Sequence, residues 1–361
     1  MRKQFLITLF ATACGGTAPP GFSTGPGITS ASGSTSGSST GGDTSTGVAD
    51  DSAGSGSTGS SSTGVLRDVG APPVDMGLPA PPGCQGKVDL LFLISRLHTM
   101  VTEQEQLLAS FSGFVDTVQT SLEDFDVHIM VANPDGVKWP GWNCETYCNE
   151  DPQSCAEWGY KCNDLAYDVT ACDETLAAGL IFNGGGGAAN RHCELLGGNR
   201  YIISGEPNMD DAIECIAKVG WSGGDPPMGD ALIAALGPKI NAEGGCNAGF
   251  LRDDALLVIV LISDTEDSKS VSKPQQQYEA VVAAKGGDPN AIVALAVTPQ
   301  PMTDPDQTCT YNDGDALVRH LINMFPYHHE GDTCAPSYAP FLDEAADLIE
   351  VACAGYVPIP G

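Results

Sequence analysis

The stretch that decides the fold runs from Leu256 to Asp267 and reads LLVIVLISDTED. Its first seven residues, Leu256 to Ile262, are all aliphatic. Unbroken Val, Ile and Leu runs are typical of strands buried on both faces, which occur in parallel sheets covered by helices. Three acids follow, Asp264, Glu266 and Asp267. Ligand crevices in such sheets lie beyond the carboxyl ends of the strands, so these acids indicate either a cation site or a solvated loop.

Neighbouring segments repeat the strand and helix pattern. An apolar run at Leu90 to Ile94, an amphipathic stretch at Val101 to Leu122 and a second apolar run at Asp126 to Ala132 predict a βαβ unit. Together they predict an α/β fold with a doubly wound, mostly parallel sheet and helices on both faces. Further elements are predicted as strands at Arg200 to Ser204 and Ala291 to Val297, and as helices at Pro207 to Val219, Met228 to Leu236, Ser272 to Ala284, a segment ending at Phe325, and Tyr338 to Ala354.

Charge excludes two classes of partner. The 361 residues include 16 Lys and Arg against 46 Asp and Glu, which gives a formal net charge of −30. Such a chain is repelled by phosphate backbones and by anionic lipid headgroups. We therefore expect no nucleic-acid partner.

The N-terminus predicts export. Residues 1–14 have a basic start, a short apolar stretch and small residues before Cys14. This segment resembles a bacterial lipoprotein signal, which implies that Cys14 is lipidated; an ordinary secretory peptide is the alternative. Later apolar runs are shorter than the roughly 18 to 20 residues that span a bilayer. A lipid anchor would then be the only membrane attachment.

Residues 15–83 predict a tether. They consist mainly of Gly, Ser and Thr and become rich in Pro toward the end. This composition buries too little apolar surface to offset chain entropy, so we expect disorder. The folded domain is expected to occupy residues 84–361.

Cysteine number agrees with export. Thirteen cysteines less Cys14 leave an even set of twelve, as six disulfides require. Their pairing stays open. Zinc bound by the cluster of four near His192 is the alternative, but the cluster has no paired C-x2-C spacing. The twelve are Cys84, Cys144, Cys148, Cys155, Cys162, Cys172, Cys193, Cys215, Cys246, Cys309, Cys334 and Cys353.

Two segments are expected outside the regular pattern. Residues 133–199 contain six of the cysteines and predict a self-contained disulfide-bonded insertion. The tetraglycine Gly184 to Gly187 within it lacks the Lys-Ser/Thr pair of a phosphate loop, so a flexible loop is expected. The pair His328-His329 predicts a surface loop rather than a metal site.

Three blocks carry a family resemblance. Residues 87–100 (KVDLLFLISRLHTM), 223–236 (GGDPPMGDALIAAL) and 256–268 (LLVIVLISDTEDS) resemble the first strand, second loop and third loop of von Willebrand factor type A domains. The chain is most similar to the cysteine-rich exported versions found in myxobacteria. The resemblance implies a metal-ion-dependent adhesion site, in which hydroxyl and carboxylate oxygens hold magnesium and leave one position for a carboxylate of the partner protein.

This site is degenerate by sequence. The resemblance assigns its ligands to Asp264, Thr99, Ser95 and Asp225, but Ser95 stands where the family has Asp and Leu97 where it has Ser. Such a donor set would hold Mg²⁺, or Mn²⁺ or Ca²⁺, only weakly. We expect recognition that is metal-independent or weakly metal-dependent.

The leading functional hypothesis is a non-enzymatic surface lipoprotein. Its domain would bind a protein or an extracellular polymer at the C-terminal edge of the sheet. The expected location is the bacterial outer membrane or cell surface, with the periplasm or secretion as alternatives. A structural envelope protein without a specific ligand is the second hypothesis. A hydrolase built on the cysteine-rich insertion is the third, although no H-E-x-x-H or strand-borne G-x-S-x-G motif supports it.

Overall fold

The computed structural model describes residue 84 and residues 86–121, 125–136, 153, 170–221, 223–300 and 316–356. The predicted signal segment with Cys14 and the predicted tether lie outside these residues. So do Cys144, Cys148, Cys155, Cys162 and Cys309.

The described residues form eight strands and seven α-helices. The strands are β1 Lys87–Ile94, β2 Asp126–Ala132, β3 Phe182–Asn183, β4 Arg191–His192, β5 Ile202–Ile203, β6 Leu256–Ile262, β7 Ile292–Thr298 and β8 Tyr327–Asp332. The helices are α1 Val101–Ser121, α2 Met209–Ala217, α3 Met228–Ala235, α4 Pro238–Asn241, α5 Pro274–Ala284, α6 Ala316–Ile322 and α7 Ala339–Gly355. No helix within these parts of the chain has the length and apolar content to cross a bilayer.

The main sheet has six strands in the order β5-β2-β1-β6-β7-β8. Strands β2, β1, β6, β7 and β8 run parallel, and the two-residue β5 pairs antiparallel with β2 at one edge. The aliphatic run Leu256 to Ile262 is β6, in register with β1 on one side and β7 on the other. The fold prediction of a mostly parallel α/β sheet is confirmed. A separate hairpin pairs β3 with β4.

Alternation along the strands builds a core on each face. In β1, Leu90 and Phe92 point to the face covered by α1, α2 and α7, whereas Leu91 and Leu93 point to the face covered by α3, α5 and α6. Every residue of β6 is buried, as burial on both faces requires. The sheet is therefore doubly wound, with helices on both sides.

Disulfides tie the predicted insertion to the core. Cys172 is bonded to Cys246 and Cys193 to Cys215, so both cysteines of the described insertion pair with partners beyond residue 199. The prediction of a self-contained insertion is wrong. An even number of cysteines allows all of them to pair, but it does not show which cysteines pair with each other. A third bond joins Cys84 to Cys353, and Cys334 is also disulfide-bonded.

The segment around His328-His329 is a strand, not the surface loop that its polarity predicted. It forms β8, which pairs in parallel with β7 at the sheet edge. His329 stacks on Phe341 with ring centroids 5.3 Å apart, and its Nε2 lies 3.1 Å from Glu344 Oε2. Edge strands are half-exposed and often polar, so hydropathy alone did not reveal this one.

Candidate functional site

The carboxyl ends of β1 and β6 meet where the strand order reverses. After β1 the sheet grows toward β2 and β5, and after β6 it grows toward β7 and β8. Ligands of doubly wound sheets bind at such a switch point. We define three loops there: the first loop, residues 95–100; the second loop, residues 220–221 and 223–227; and the third loop, residues 263–272. Each loop directly follows or precedes a strand or helix that packs in the hydrophobic core.

The first loop is held against the second by one amide. Ser95 is buried, and its N–H donates to the Ile262 carbonyl at 2.8 Å. The Gln104 Nε2 donates to the Ser95 carbonyl at 3.3 Å and to the Gly220 carbonyl at 2.6 Å, while its Oε1 accepts from the Gly220 N–H at 3.0 Å. A buried side chain that saturates three backbone groups fixes the spacing of the two loops.

Arg96 forms an ion pair with a residue in the turn after β2. Its guanidinium Nη1 lies 3.5 Å from Asp135 Oδ1, and both side chains are buried. The Arg96 carbonyl accepts from the Gly223 N–H at 2.8 Å. A Cβ at position 223 would lie 2.8 Å from both Arg96 Cβ and Asp135 Oδ2, so this contact between loops requires glycine. The sequence pattern gave no sign that Asp135 would pair with Arg96.

Two carboxylates connect the third loop to the N-terminus of α3 through hydrogen bonds. Asp267 accepts from the N–H groups of Gly229 at 2.9 Å and Ser270 at 3.2 Å. Asp230 accepts from Val271 at 2.8 Å and Ser272 at 3.0 Å. Burial would raise the pKa of Asp230, but the hydrogen bonds from Ser272 and Val271 outweigh it and lower the pKa. The loop is thus rigidly held, and it leaves Val271 84% exposed.

Asp264 differs from these carboxylates. It is only 1% exposed, and neither of its oxygens has a hydrogen-bond partner of good geometry within the described residues. Burial raises its pKa, and the negative charge of Asp225 acts in the same direction. The Thr99 hydroxyl and His98 lie close enough to lower that pKa without satisfying the oxygens. The neighbouring Thr265 Oγ1 is also buried and unpartnered in the described structure.

The four predicted metal ligands are placed differently. Thr99 and Asp225 lie close enough to act on the charge of Asp264. Asp225 Oδ2 also accepts from Ser268 Oγ at 3.1 Å. Ser95 uses its hydroxyl oxygen to accept from the Leu97 N–H at 3.3 Å, so it serves the turn of its own loop.

Magnesium does not fit this donor set well. It requires near-octahedral oxygen ligation, usually with one or two free carboxylates. Here Asp264 is the one buried carboxylate among the predicted ligands, and Leu97 of the same loop as Ser95 and Thr99 packs against the hydrophobic core. Within the described residues, no group of three or more His, Cys, Asp or Glu side chains is arranged to hold a metal.

The tetraglycine of the insertion supports the second loop. Gly187 has φ of +70°, and a Cβ there would lie 1.8 Å from the Trp221 ring. The Gly186 carbonyl accepts from the Trp221 N–H at 3.0 Å. These residues form a loop, as predicted. Their missing side chains make room for a tryptophan 34 positions later. Sequence reasoning had no signal linking these glycines to Trp221.

Comparison with known proteins adds little to this geometry. No family model and no curated protein matches the chain. Solved structures that resemble it include two of proximal thread matrix protein 1 (PTMP1) from the mussel byssus. One, crystal form 2, has 12% identity and a TM-score of 0.35 over 73% of this chain and 48% of that one. The other has 13% identity and a TM-score of 0.34 over 75% of this chain and 47% of that one. The chain thus spans about half the length of these structures, and a likeness at this level carries no functional inference.

Proposed function

We propose that this chain is an exported, lipid-anchored surface protein whose von Willebrand factor type A-like domain binds a partner protein or extracellular polymer. The binding surface is the set of three loops at the C-terminal edge of the sheet. The observation that carries the proposal is Asp264, a buried carboxylate with no hydrogen-bond partner in the described structure, at the topological switch point. A polar group left unsatisfied in the interior costs free energy, so it calls for a functional explanation.

Loop rigidity supports a binding role. Gln104, Asp267 and Asp230 fix the three loops through backbone hydrogen bonds, independently of any ligand. A surface that is already ordered loses little conformational entropy on association. The domain is therefore prepared for recognition, and we propose no enzymatic activity for it.

The proposed recognition is metal-independent or weakly metal-dependent. The donor set around Asp264 lacks the first-loop carboxylate and one hydroxyl of an adhesion-type metal site. A resident Mg²⁺ would therefore retain most of its water ligands and bind weakly.

The binding surface is tested by comparing the two edges of the sheet. The full exported chain would be compared with the double variant Asp225→Ala/Asp264→Ala and with the charge-matched control Asp253→Ala/Asp254→Ala at the opposite edge. Binding to intact cells and extracellular material of the source organism is the measurement. We expect the first variant to lose at least about tenfold in affinity, equivalent to about 1.4 kcal/mol, and the control to bind like the wild type. Equal binding by all three proteins would refute the proposed surface.

Metal dependence is tested by thermal denaturation with and without millimolar Mg²⁺, Mn²⁺ or Ca²⁺. A ligand that binds only the native state raises the melting temperature, so a weak site predicts a shift of less than about 1 °C. A shift of several degrees that Asp264→Ala abolishes would establish a metal-dependent adhesion site instead.

A further inference from the structure

No lysine or arginine among the described residues pairs with the buried carboxylate of Asp264. Its two carboxylate oxygens are buried without hydrogen-bond partners, and the adjacent Thr265 hydroxyl is in the same state. Elsewhere in the described structure, buried aspartates have donors: Asp267 accepts from two backbone N–H groups, and Asp89 from Arg252. Single buried polar atoms without a hydrogen-bond partner occur elsewhere, but among the described carboxylates Asp264 is the one with both oxygens in this state.

The neighbouring arginine is already paired, because Arg96 faces Asp135 at 3.5 Å. Two residues of the first loop act on Asp264: Thr99 carries no charge, and His98 is exposed. A metal ion would need several oxygen ligands, and the first loop lacks two of the family's donors. The site offers one buried carboxylate with neighbouring hydroxyls, which is too few for tight divalent binding.

Resting on the proposed recognition function, we propose that Asp264 receives the ammonium group of a lysine from a partner protein, in the place where related domains hold a metal ion. One ammonium has three N–H donors and one positive charge. The two Asp264 oxygens and the hydroxyl of Thr265 or Thr99 provide a matching set of three acceptors.

Lysine fits better than arginine. Asp264 is only 1% exposed, and an ammonium is a more compact head than a guanidinium. The guanidinium is a wide planar fork with five donors that is best matched by bidentate carboxylates and further acceptors. The chain's net charge of −30 also favours encounter with a basic partner. Val271, 84% exposed on the same loop, offers an apolar contact of the kind that lysine methylene groups use.

The test uses three labelled peptides that differ at one position. Each has a blocked N-terminus and a central lysine, arginine or acetyl-lysine flanked by Gly and Ser. Fluorescence anisotropy at low ionic strength measures their binding to the full chain. We expect the lysine peptide to bind at least about fivefold more tightly than the arginine peptide, and acetylation to remove binding, because it removes the charge.

Two variants make the test specific for Asp264. Asp264→Asn should weaken binding of the lysine peptide at least about tenfold, since it removes the carboxylate charge. Glu266→Gln removes an exposed acid two residues away and should change the affinity less than about twofold. Asp264→Asn keeps the size of the side chain, so loss of folding is not expected, and a melting curve checks it.

Several outcomes would overturn the lysine proposal. These are unchanged binding by Asp264→Asn, equal weakening by Glu266→Gln, which indicates general attraction to an acidic loop, and equal binding of the acetylated peptide. A further contradicting result is binding of a glucosamine polymer that depends on Asp264, without binding of the lysine peptide. It would show that the partner is a polysaccharide and not a protein lysine. Failure here is distinguishable from failure of the proposed function. If the Asp225→Ala/Asp264→Ala variant loses cell binding but lysine peptide does not compete with it, the recognition surface stands and the lysine proposal falls.

Discussion

Two buried aspartates lie at opposite ends of the central strands, and their surroundings differ. Asp89, near the start of β1, accepts from the Arg252 N–H at 2.8 Å and from its guanidinium Nε at 2.8 Å, and its Oδ1 lies 3.6 Å from His128 Nδ1. Asp264, just after β6, has no partner of good geometry in the described structure. The two are almost equally buried, at 0% and 1% exposure.

The contrast separates a structural carboxylate from one that is available to a ligand. Asp89 directs its acceptor capacity inward, where Arg252 also binds Asp126 and the Val88 carbonyl and so joins β1 to β2. Asp264 keeps its acceptor capacity. Burial raises the pKa of both, so burial by itself does not identify a site. The presence or absence of internal donors does.

The largest expected effect is on stability, at Asp89, whose carboxylate is paired with Arg252. Arg252→Met leaves Asp89 buried without its main partner, and we expect a loss of about 3 to 5 kcal/mol in the free energy of unfolding, measured in urea at pH 7. Arg191→Met is the matched control. Its ion pair with Asp211 is exposed, so that variant should lose less than about 1 kcal/mol. Similar losses in both variants would remove the distinction between buried and exposed pairs.

The second effect is a pH dependence. Burial raises the pKa of Asp89 to about 6 from 3.8, although Arg252 opposes the shift. The stabilisation linked to this raised pKa is therefore fully present below pH 3.8 and lost as pH rises through about 6. At about 1.4 kcal/mol per pKa unit, wild type should lose on the order of 3 kcal/mol relative to Asp89→Asn between pH 4 and pH 7.

Denaturant titrations of both proteins across that pH range provide the measurement. His128, Lys285 and Asp126 also act in this cluster, and burial lowers the pKa of both His128 and Lys285. All three are present in both proteins, so their contributions largely cancel. Parallel pH profiles for wild type and variant would show that Asp89 keeps an ordinary pKa.

At Asp264, which has no hydrogen-bond partner of good geometry in the described structure, we expect a substitution to increase the free energy of unfolding. Asp264→Asn removes a buried, unpaired charge and should stabilise the protein by about 1 kcal/mol at pH 7. Asp267→Asn, three positions later, removes an acceptor of two backbone N–H groups and should cost about 1 to 3 kcal/mol. Chemical denaturation of both variants checks the pair. Destabilisation by Asp264→Asn would reveal an internal partner and end its assignment as a ligand site.

The smallest effect on the free energy of unfolding is expected at Val271 of the third loop. Val271→Ser should change the free energy of unfolding by less than about 0.5 kcal/mol, because the side chain is already 84% exposed. Val281→Ser on α5, at 0% exposure, should cost about 2 kcal/mol or more. Thermal melts of the two variants test this. A large loss from Val271→Ser would place Val271 in the domain's packing rather than on its binding surface.

Local pattern was sufficient for much of the fold. The aliphatic runs of β1, β6 and β7 and the helical periodicity of α1 and α7 were readable because burial imposes a regular spacing on apolar residues. Strand β8 was missed, since an edge strand needs no continuous apolar run. The packing of the tetraglycine loop on Trp221 was not predicted, because the two are distant in sequence.

Residue types along the chain were enough to establish the sheet type and the acidic loop after the central strand, since each depends on residues that are adjacent in the sequence. Only the tertiary structure decided which carboxylates are satisfied. Gly229, Ser270 and Val271 donate to Asp267 and Asp230, whereas the described residues leave Asp264 without a donor. Hydrogen bonding depends on distance and direction between groups from different elements, and no spacing along the chain encodes these.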